Sequence, residues 1–219
     1  MSDAPSLAPP DPAPVMDAAS FAGATAADAR QMADMETFRA QLSDWNGRMN
    51  LVGPSAIEDF WGRHAFDSAQ LLAMAPEALT WADLGAGAGF PGLVLAILLK
   101  GRPRVRIHLV ESMAKRCVFL QAVVDALALP AIVHRVRAEE LSLKVDIVTA
   151  RACAPLPRLL EFAWPCLRKG ATALFLKGQD VEAELSEATR YWDFAVQALP
   201  SRSGPGQILR ISEVSRVGR

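Results

Sequence analysis

The segment Asp83-Leu84-Gly85-Ala86-Gly87-Ala88-Gly89-Phe90-Pro91-Gly92 has the residue types best suited to holding a small ligand. Glycines let the chain turn tightly and approach a ligand with no Cβ in the way. Pro91 suits the first position of a helix, where its missing N–H costs nothing. The free N–H groups and partial positive charge of a helix start favour a carboxylate or a phosphate alike. Gly87-x-Gly89-x-x-Gly92 also fits the dinucleotide fingerprint, with the acid Glu111 about 20 residues further on. Two details favour S-adenosylmethionine. Gly85 directly follows a strand-like run, and Asp83 stands two residues before it. A carboxylate there can pair with the methionine ammonium group or its bridging waters, whereas it would repel a pyrophosphate. Glu111 can accept hydrogen bonds from both ribose hydroxyls in either case. Five of the eight residues from Gly85 to Gly92 are Gly or Pro. That density is costly to order unless a ligand fills the space. A nicotinamide-dependent oxidoreductase stays open as the alternative at this point.

Little else in the chain is arranged for acid–base or metal chemistry. His64, His108 and His134 are scattered, and none shares a ligand motif with a cysteine. Cys117, Cys153 and Cys166 form no C-x-x-C pair and sit in apolar segments, as reduced structural thiols do. No bound metal is expected. Catalysis is expected to come mainly from positioning.

The surrounding elements must place the loop. Short β-like runs at Trp81–Leu84, Val105–Val110, Ile132–Val136, Val145–Thr149 and Ala171–Leu176 alternate with helical runs. Those helical runs are Pro91–Lys100, Met113–Ala128, Leu156–Leu167 and Val181–Arg190. Such alternation predicts βαβ units and a largely parallel sheet. Asp193–Leu199 and Gln207–Val214, joined by Ser203-Gly204-Pro205-Gly206, leave no room for a helix and should pair antiparallel. The layout is that of an α/β, Rossmann-like, class I S-adenosylmethionine-dependent methyltransferase. Upstream, Met35, Phe38, Leu42 and Trp45 recur at helical spacing, and a second helix is expected over Ala56–Met74. The expected division is a disordered tail at 1–30, a helical cap at 31–78 and a methyltransferase domain at 79–219.

Residues 1–36 contain six acids and one base, leaving 22 bases and 18 acids in the remainder, a net of +4. A mildly basic body permits RNA binding without demanding it. The charge-free stretch Ala86–Leu99 is broken by Gly and Pro, too interrupted to span a bilayer. The N-terminus has neither the basic nor the apolar region of a signal peptide, so a cytoplasmic location is expected.

Several ordered blocks resemble the glucose-inhibited division protein B family. These are Trp45-Asn46 with Asn50-Leu51, Arg63-His64 with Asp67-Ser68, and the glycine loop itself. Glu111-Ser112 with Lys115-Arg116 and Phe119-Leu120, Arg137-Ala138-Glu139-Glu140, Arg151-Ala152 and Leu176-Lys177-Gly178 follow in the family's order. Val52 stands where the family often has Thr, and Pro155 and Pro157 fall just after the Arg151 block. The family comprises bacterial 16S rRNA guanine-N7 methyltransferases (small-subunit rRNA methyltransferase G). The resemblance implies methyl transfer from S-adenosylmethionine to N7 of guanosine 527 in the 530 loop, with 16S rRNA, the small subunit or its assembly intermediate as partner. Nothing in the sequence suggests an obligate interface, so a monomer is expected. The resemblance places Gly85 and Phe90 against the cofactor, beside Gly87 and Gly89. It sets Ala138 and Glu139 at the adenine, and Arg151 along the site.

Guanine N7 has a lone pair and no proton, so its methylation needs no general base. N7 lies on an edge that A-form RNA hides, so the target base should be splayed out and gripped. Candidate grips are Arg48, Arg63, His64, Lys177 and Arg202, with Arg151 and His64 as positioning residues. For His64 the alternative is a side chain satisfied by a local acid such as Asp67. For Lys115 and Arg116 it is a solvated helix face. A non-catalytic ribosome-binding module and a small-molecule methyltransferase remain open on the residues alone.

Overall fold

The computed structural model describes residues 16–53, 57–178 and 181–218. The strands are β1 (Thr80–Leu84), β2 (Arg106–Glu111), β3 (Ala131–Arg135), β4 (Ile147–Arg151), β5 (Thr172–Lys177), β6 (Trp192–Pro200) and β7 (Gln207–Arg216). They form one sheet in the order β3-β2-β1-β4-β5-β7-β6. β1 to β5 pair parallel, and β7 runs antiparallel to both β5 and β6. This is the class I methyltransferase layout expected from the alternating pattern. The central strands are nearly unbroken apolar runs because helices cover both faces.

One face packs under α5 (Gly92–Leu98) and α6 (Ala114–Ala126), and the other under α7 (Leu156–Leu167) and α8 (Val181–Ala188). The chain leaves β1 toward β2 and β3, but leaves β4 toward β5. The order therefore reverses between β1 and β4. A crevice opens beyond the carboxyl ends of strands at such a switch point. The glycine loop follows β1, and Arg151 closes β4, so both face that crevice. Pro155 and Pro157 do not disturb it. They stand at the start of α7, where a missing N–H costs no helical hydrogen bond.

The N-terminal region departs from the sequence reading. Residues 16–30, expected within a disordered tail, hold α1 (Ala18–Thr25) and the first residues of α2 (Ala29–Met49). Asp17 caps α1 by accepting the Ser20 N–H at 2.8 Å. Asp28 and Gln31 form a reciprocal capping box on α2. Phe21 is fully buried, its ring 5.2 Å from Trp61. One aromatic anchor and two caps thus order a segment whose Ala-rich composition hides them. Residues 1–15 lie outside the described residues.

The expected helix over Ala56–Met74 is also different. Ala56 lies outside the described residues. Beyond it, Phe60–Phe66 is a π-helix, followed by the short helices α3 (Asp67–Ala69) and α4 (Leu71–Met74). Phe60 with Ala65, and Trp61 with Phe66, are pairs five residues apart, and all four are buried. Only the wider i→i+5 turn brings both pairs inward together. The same turn directs Arg63 and His64 to the crevice.

Candidate active site

The crevice has three connected parts. The smallest, of 130 Å³, is walled by Gly85, Glu111, Ser112, Ala138, Glu139 and Phe162, among others. The second, of 370 Å³, runs over Gly85, Gly87 and Phe90 to His64, Arg63 and Arg151. The third, of 580 Å³, lies between the π-helix and the loop joining β6 to β7. Gly85 belongs to the first two, and Arg63, Arg151 and Ala152 to the last two.

Glu111 is fixed at the end of β2. Its carboxylate accepts the N–H of Gly87 at 3.1 Å and of Met113 at 2.8 Å, and Arg116 lies 3.7 Å away. Gly85 and Gly87 have left-handed φ of +68° and +52°. A Cβ on Gly85 would come within 2.7 Å of Cys153 Sγ. Gly89 does not line the crevice. It packs against the side chain of Leu93, where a Cβ would clash. Phe90 does line it, and its ring stacks among Phe38, Phe60 and His64 at centroid distances of 5.3, 5.8 and 4.9 Å.

Asp83 is placed otherwise than expected. It is 1% exposed and lines no part of the crevice. Its carboxyl accepts the Gly92 N–H at 2.9 Å and the Thr149 hydroxyl at 3.1 Å. Burial pushes it up to about 7, against the pull of those two bonds. Asp83 therefore holds the glycine loop onto β4 from below, turned away from the crevice where the expected contact with a ligand ammonium group would be made. The partner residue, Thr149, faces it in register across β1 and β4. Strand registration was not readable from the sequence, so Thr149 was missed.

The candidate grips separate. Arg63 lines both larger cavities. Arg48 pairs with Asp44 at 2.9 Å on the exposed side of α2, outside the crevice. The Lys177 ammonium is taken by Glu184 at 2.6 Å and the Ala154 carbonyl at 3.0 Å. The Arg202 guanidinium lies over the Phe66 ring, 5.2 Å from its centroid. Lys177 and Arg202 thus brace the walls around the third cavity rather than offering free charge to a ligand. Val52, where the family often has Thr, lines the crevice.

Arg151 and His64 are the unsatisfied pair. Arg151 Nη1 and both ring nitrogens of His64 are buried without a hydrogen-bond partner among the described residues. Asp67 does not serve His64. Its Oδ1 accepts from Gln70 Nε2 at 2.9 Å and from the Ser201 and Ser203 hydroxyls, each at 2.7 Å. Its Oδ2 lies 3.9 Å from Arg151 Nε. Buried polar atoms are ordinarily paired, so these orphans suit a polar ligand. Burial first, then the charges of Arg151 and Arg63, push His64 down to about 3. A neutral imidazole follows, and the methyl-transfer rate should show no imidazole inflection between pH 5 and 8. An inflection near 6.5 that vanishes in His64→Gln would contradict this. Asp67, Ser201 and Ser203 were not singled out as site residues, because their meeting depends on the hairpin folding back on the cap.

The family described as rRNA small subunit methyltransferase G matches residues 31–205. The chain belongs to this family. It is 58% identical to the Ribosomal RNA small subunit methyltransferase G of Caulobacter vibrioides (strain NA1000 / CB15N), over 94% of this chain and 96% of that protein. The protein of the same name from Bradyrhizobium diazoefficiens is 45% identical over 85% of this chain and 73% of its own length. Among solved structures, the fold resembles a SAM dependent methyltransferase from Aquifex aeolicus (TM-score 0.53, 15% identity, 79% of this chain and 97% of that one). It also resembles a point mutant of MtNAS in complex with S-adenosylmethionine (TM-score 0.55, 14% identity, 91% and 84%). Membership in the small-subunit methyltransferase G family closes the oxidoreductase alternative. The chain is therefore a methyltransferase, on a fold shared with S-adenosylmethionine-dependent enzymes.

The residues present fit that donor. The smallest cavity offers a fixed carboxylate for ribose hydroxyls and apolar walls for a base. The glycine backbone and the neutral His64 leave the middle cavity without a fixed positive charge on that wall, which a sulfonium would tolerate.

Proposed function

We propose that this chain methylates N7 of guanosine 527 in the 530 loop of bacterial 16S rRNA, acting as a cytoplasmic monomer on naked rRNA or an assembling small subunit. S-adenosylmethionine is the donor, and when bound it supplies an electrophilic methyl group on a sulfonium. The observation that carries the reading is the shared wall. Arg63, Arg151 and Ala152 border both the donor cavity and the larger cavity beside it. A second reactant seated in the larger cavity meets the donor there and nowhere else in the crevice.

The chain's own residues supply placement. Glu111 and the backbone of Gly85 and Gly87 hold the donor's nucleoside end. Arg151, aligned by Asp67, stands between the two reactants. His64 stays uncharged and adds no repulsion toward a sulfonium. No residue has to remove a proton, since N7 carries none. Arg63 lies on the rim of both cavities with its guanidinium available to a phosphate.

Among the described residues no helix is long and apolar enough to cross a membrane. The test is a strain lacking the gene. Its 16S rRNA, probed by borohydride–aniline cleavage, should lose one 7-methylguanosine at position 527, and the restored gene should return it. An intact modification overturns the proposal.

A further inference from the structure

The larger cavity contains a charge arrangement that the methyl-transfer chemistry alone does not require. Its wall includes two carboxylates, Asp59 and Asp67, together with Arg63, Arg151 and Lys177. Two of these five are already engaged. Lys177 is held by Glu184 and Ala154. Asp67 accepts three hydrogen bonds on one oxygen and faces Arg151 with the other. Arg63 is exposed at the rim. Asp59 is different. Its Oδ1 accepts the Arg63 N–H at 3.3 Å, the cap of the π-helix, and its other oxygen has no hydrogen-bond partner among the described residues. The buried Arg151 Nη1 is likewise without a partner. The cavity therefore presents one acceptor-only group and one donor-only group, each with spare capacity. Asp59 is near enough that its charge acts on the Arg151 guanidinium.

We propose that Asp59 and Arg151 together select guanine in this cavity, Asp59 accepting from N1–H and the 2-amino group and Arg151 donating to O6. The assignment rests on the reading of this chain as a guanine-N7 methyltransferase. Guanine presents O6 beside N7 on one edge, and its N1–H and N2 donors lie on the other side of O6. If N7 points at the donor, O6 lies close to it, and N1 and N2 lie further off. The wall repeats that order. Arg151 borders both cavities, whereas Asp59 borders only the one away from the donor. Adenine carries an amino group in place of O6 and lacks N1–H. It would set a donor against Arg151 and an unprotonated nitrogen against Asp59. A site that leaves its polar groups unpaired with the wrong ligand discriminates strongly.

Asparagine caps helices as well as aspartate does, so Asp59→Asn keeps the π-helix cap while removing the carboxylate. The experiment compares methylation of small-subunit RNA carrying guanosine or inosine at the target position. Inosine keeps N7, O6 and N1–H but lacks the 2-amino group. The unmodified enzyme should prefer guanosine by about 10-fold or more in kcat/KM, the effect of one charge-assisted hydrogen bond. In Asp59→Asn, and in Asp59→Ser, which also caps, activity on guanosine should fall roughly 10- to 100-fold. The guanosine-to-inosine ratio should collapse toward one, with unchanged thermal midpoint and S-adenosylhomocysteine affinity. A ratio that survives both substitutions, in an enzyme that methylates guanosine, overturns the role of Asp59 alone. A wild-type enzyme that leaves the guanosine substrate unmethylated at N7 overturns the functional reading and this assignment with it.

Discussion

Gly92→Ala is expected to unfold the cofactor side of the molecule and abolish methyl transfer. Gly92 opens α5 directly above β1. A Cβ there would run into Leu109 Cδ2 and come within 2.7 Å of Asp83 Oδ2 and 3.0 Å of Asp83 Cβ. Neither neighbour can yield. Leu109 is fully buried in the core, and Asp83 is tied to the Gly92 N–H and to Thr149. Alanine would contribute about 1 kcal/mol of helix propensity. Overpacking costs about 1–3 kcal/mol, and a buried hydrogen bond to Asp83 left unmade costs about 1–3 kcal/mol more. The clash wins, by an amount that is a large share of an ordinary domain's stability. Thermal unfolding and S-adenosylhomocysteine titration check this. A thermal midpoint within about 2 °C of wild type, with ligand binding intact, would contradict it.

Arg151→Gln should act on the reaction rather than on the fold. Its ion pair with Asp67 is long, at 3.9 Å, and Asp67 keeps three other hydrogen bonds without it. Its place on the wall common to both cavities is what matters. Misplacing two reactants by about 1 Å can cost about 100-fold in rate. We expect kcat/KM for rRNA methylation to fall about 100-fold or more, while the thermal midpoint and S-adenosylhomocysteine affinity change far less. Single-turnover methylation with saturating RNA separates the two. A wild-type rate in this variant would remove Arg151 from the site.

How much of this was legible beforehand divides by the range of the interaction. The parallel strands and the closing hairpin are written in local apolar runs and turn residues, and α7 begins and ends where its pattern does. Glu111, Gly85 and Gly87 were open to a reading of residue types and spacing, whereas Phe90, Ala138 and Glu139 were expected there only through the family resemblance; all six line the crevice. Asp83 could not be placed. Its position at a strand end is local, but the direction of its carboxyl depends on Thr149 in the neighbouring strand and on Gly92 above. Arg48, Lys177 and Arg202 show the same limit. A basic residue is visible in sequence, but the acid, carbonyl or aromatic ring that occupies it is not. α1 was hidden for the opposite reason, since one phenylalanine in an Ala-rich stretch gives no periodicity.

The contacts of Asp67 with Ser201 and Ser203 join residues more than 130 positions apart. They fasten the first helical segments to the last hairpin, and the cavity they border is walled by residues as late as Gly206. During synthesis, every residue named here for the donor cleft has been made once residue 162 is added, yet the acceptor cavity still lacks a side. Closing so long a loop is entropically late. The larger cavity is therefore complete only when residues 201–206 have folded back onto the cap, and a chain cut short before the hairpin lacks one wall of it.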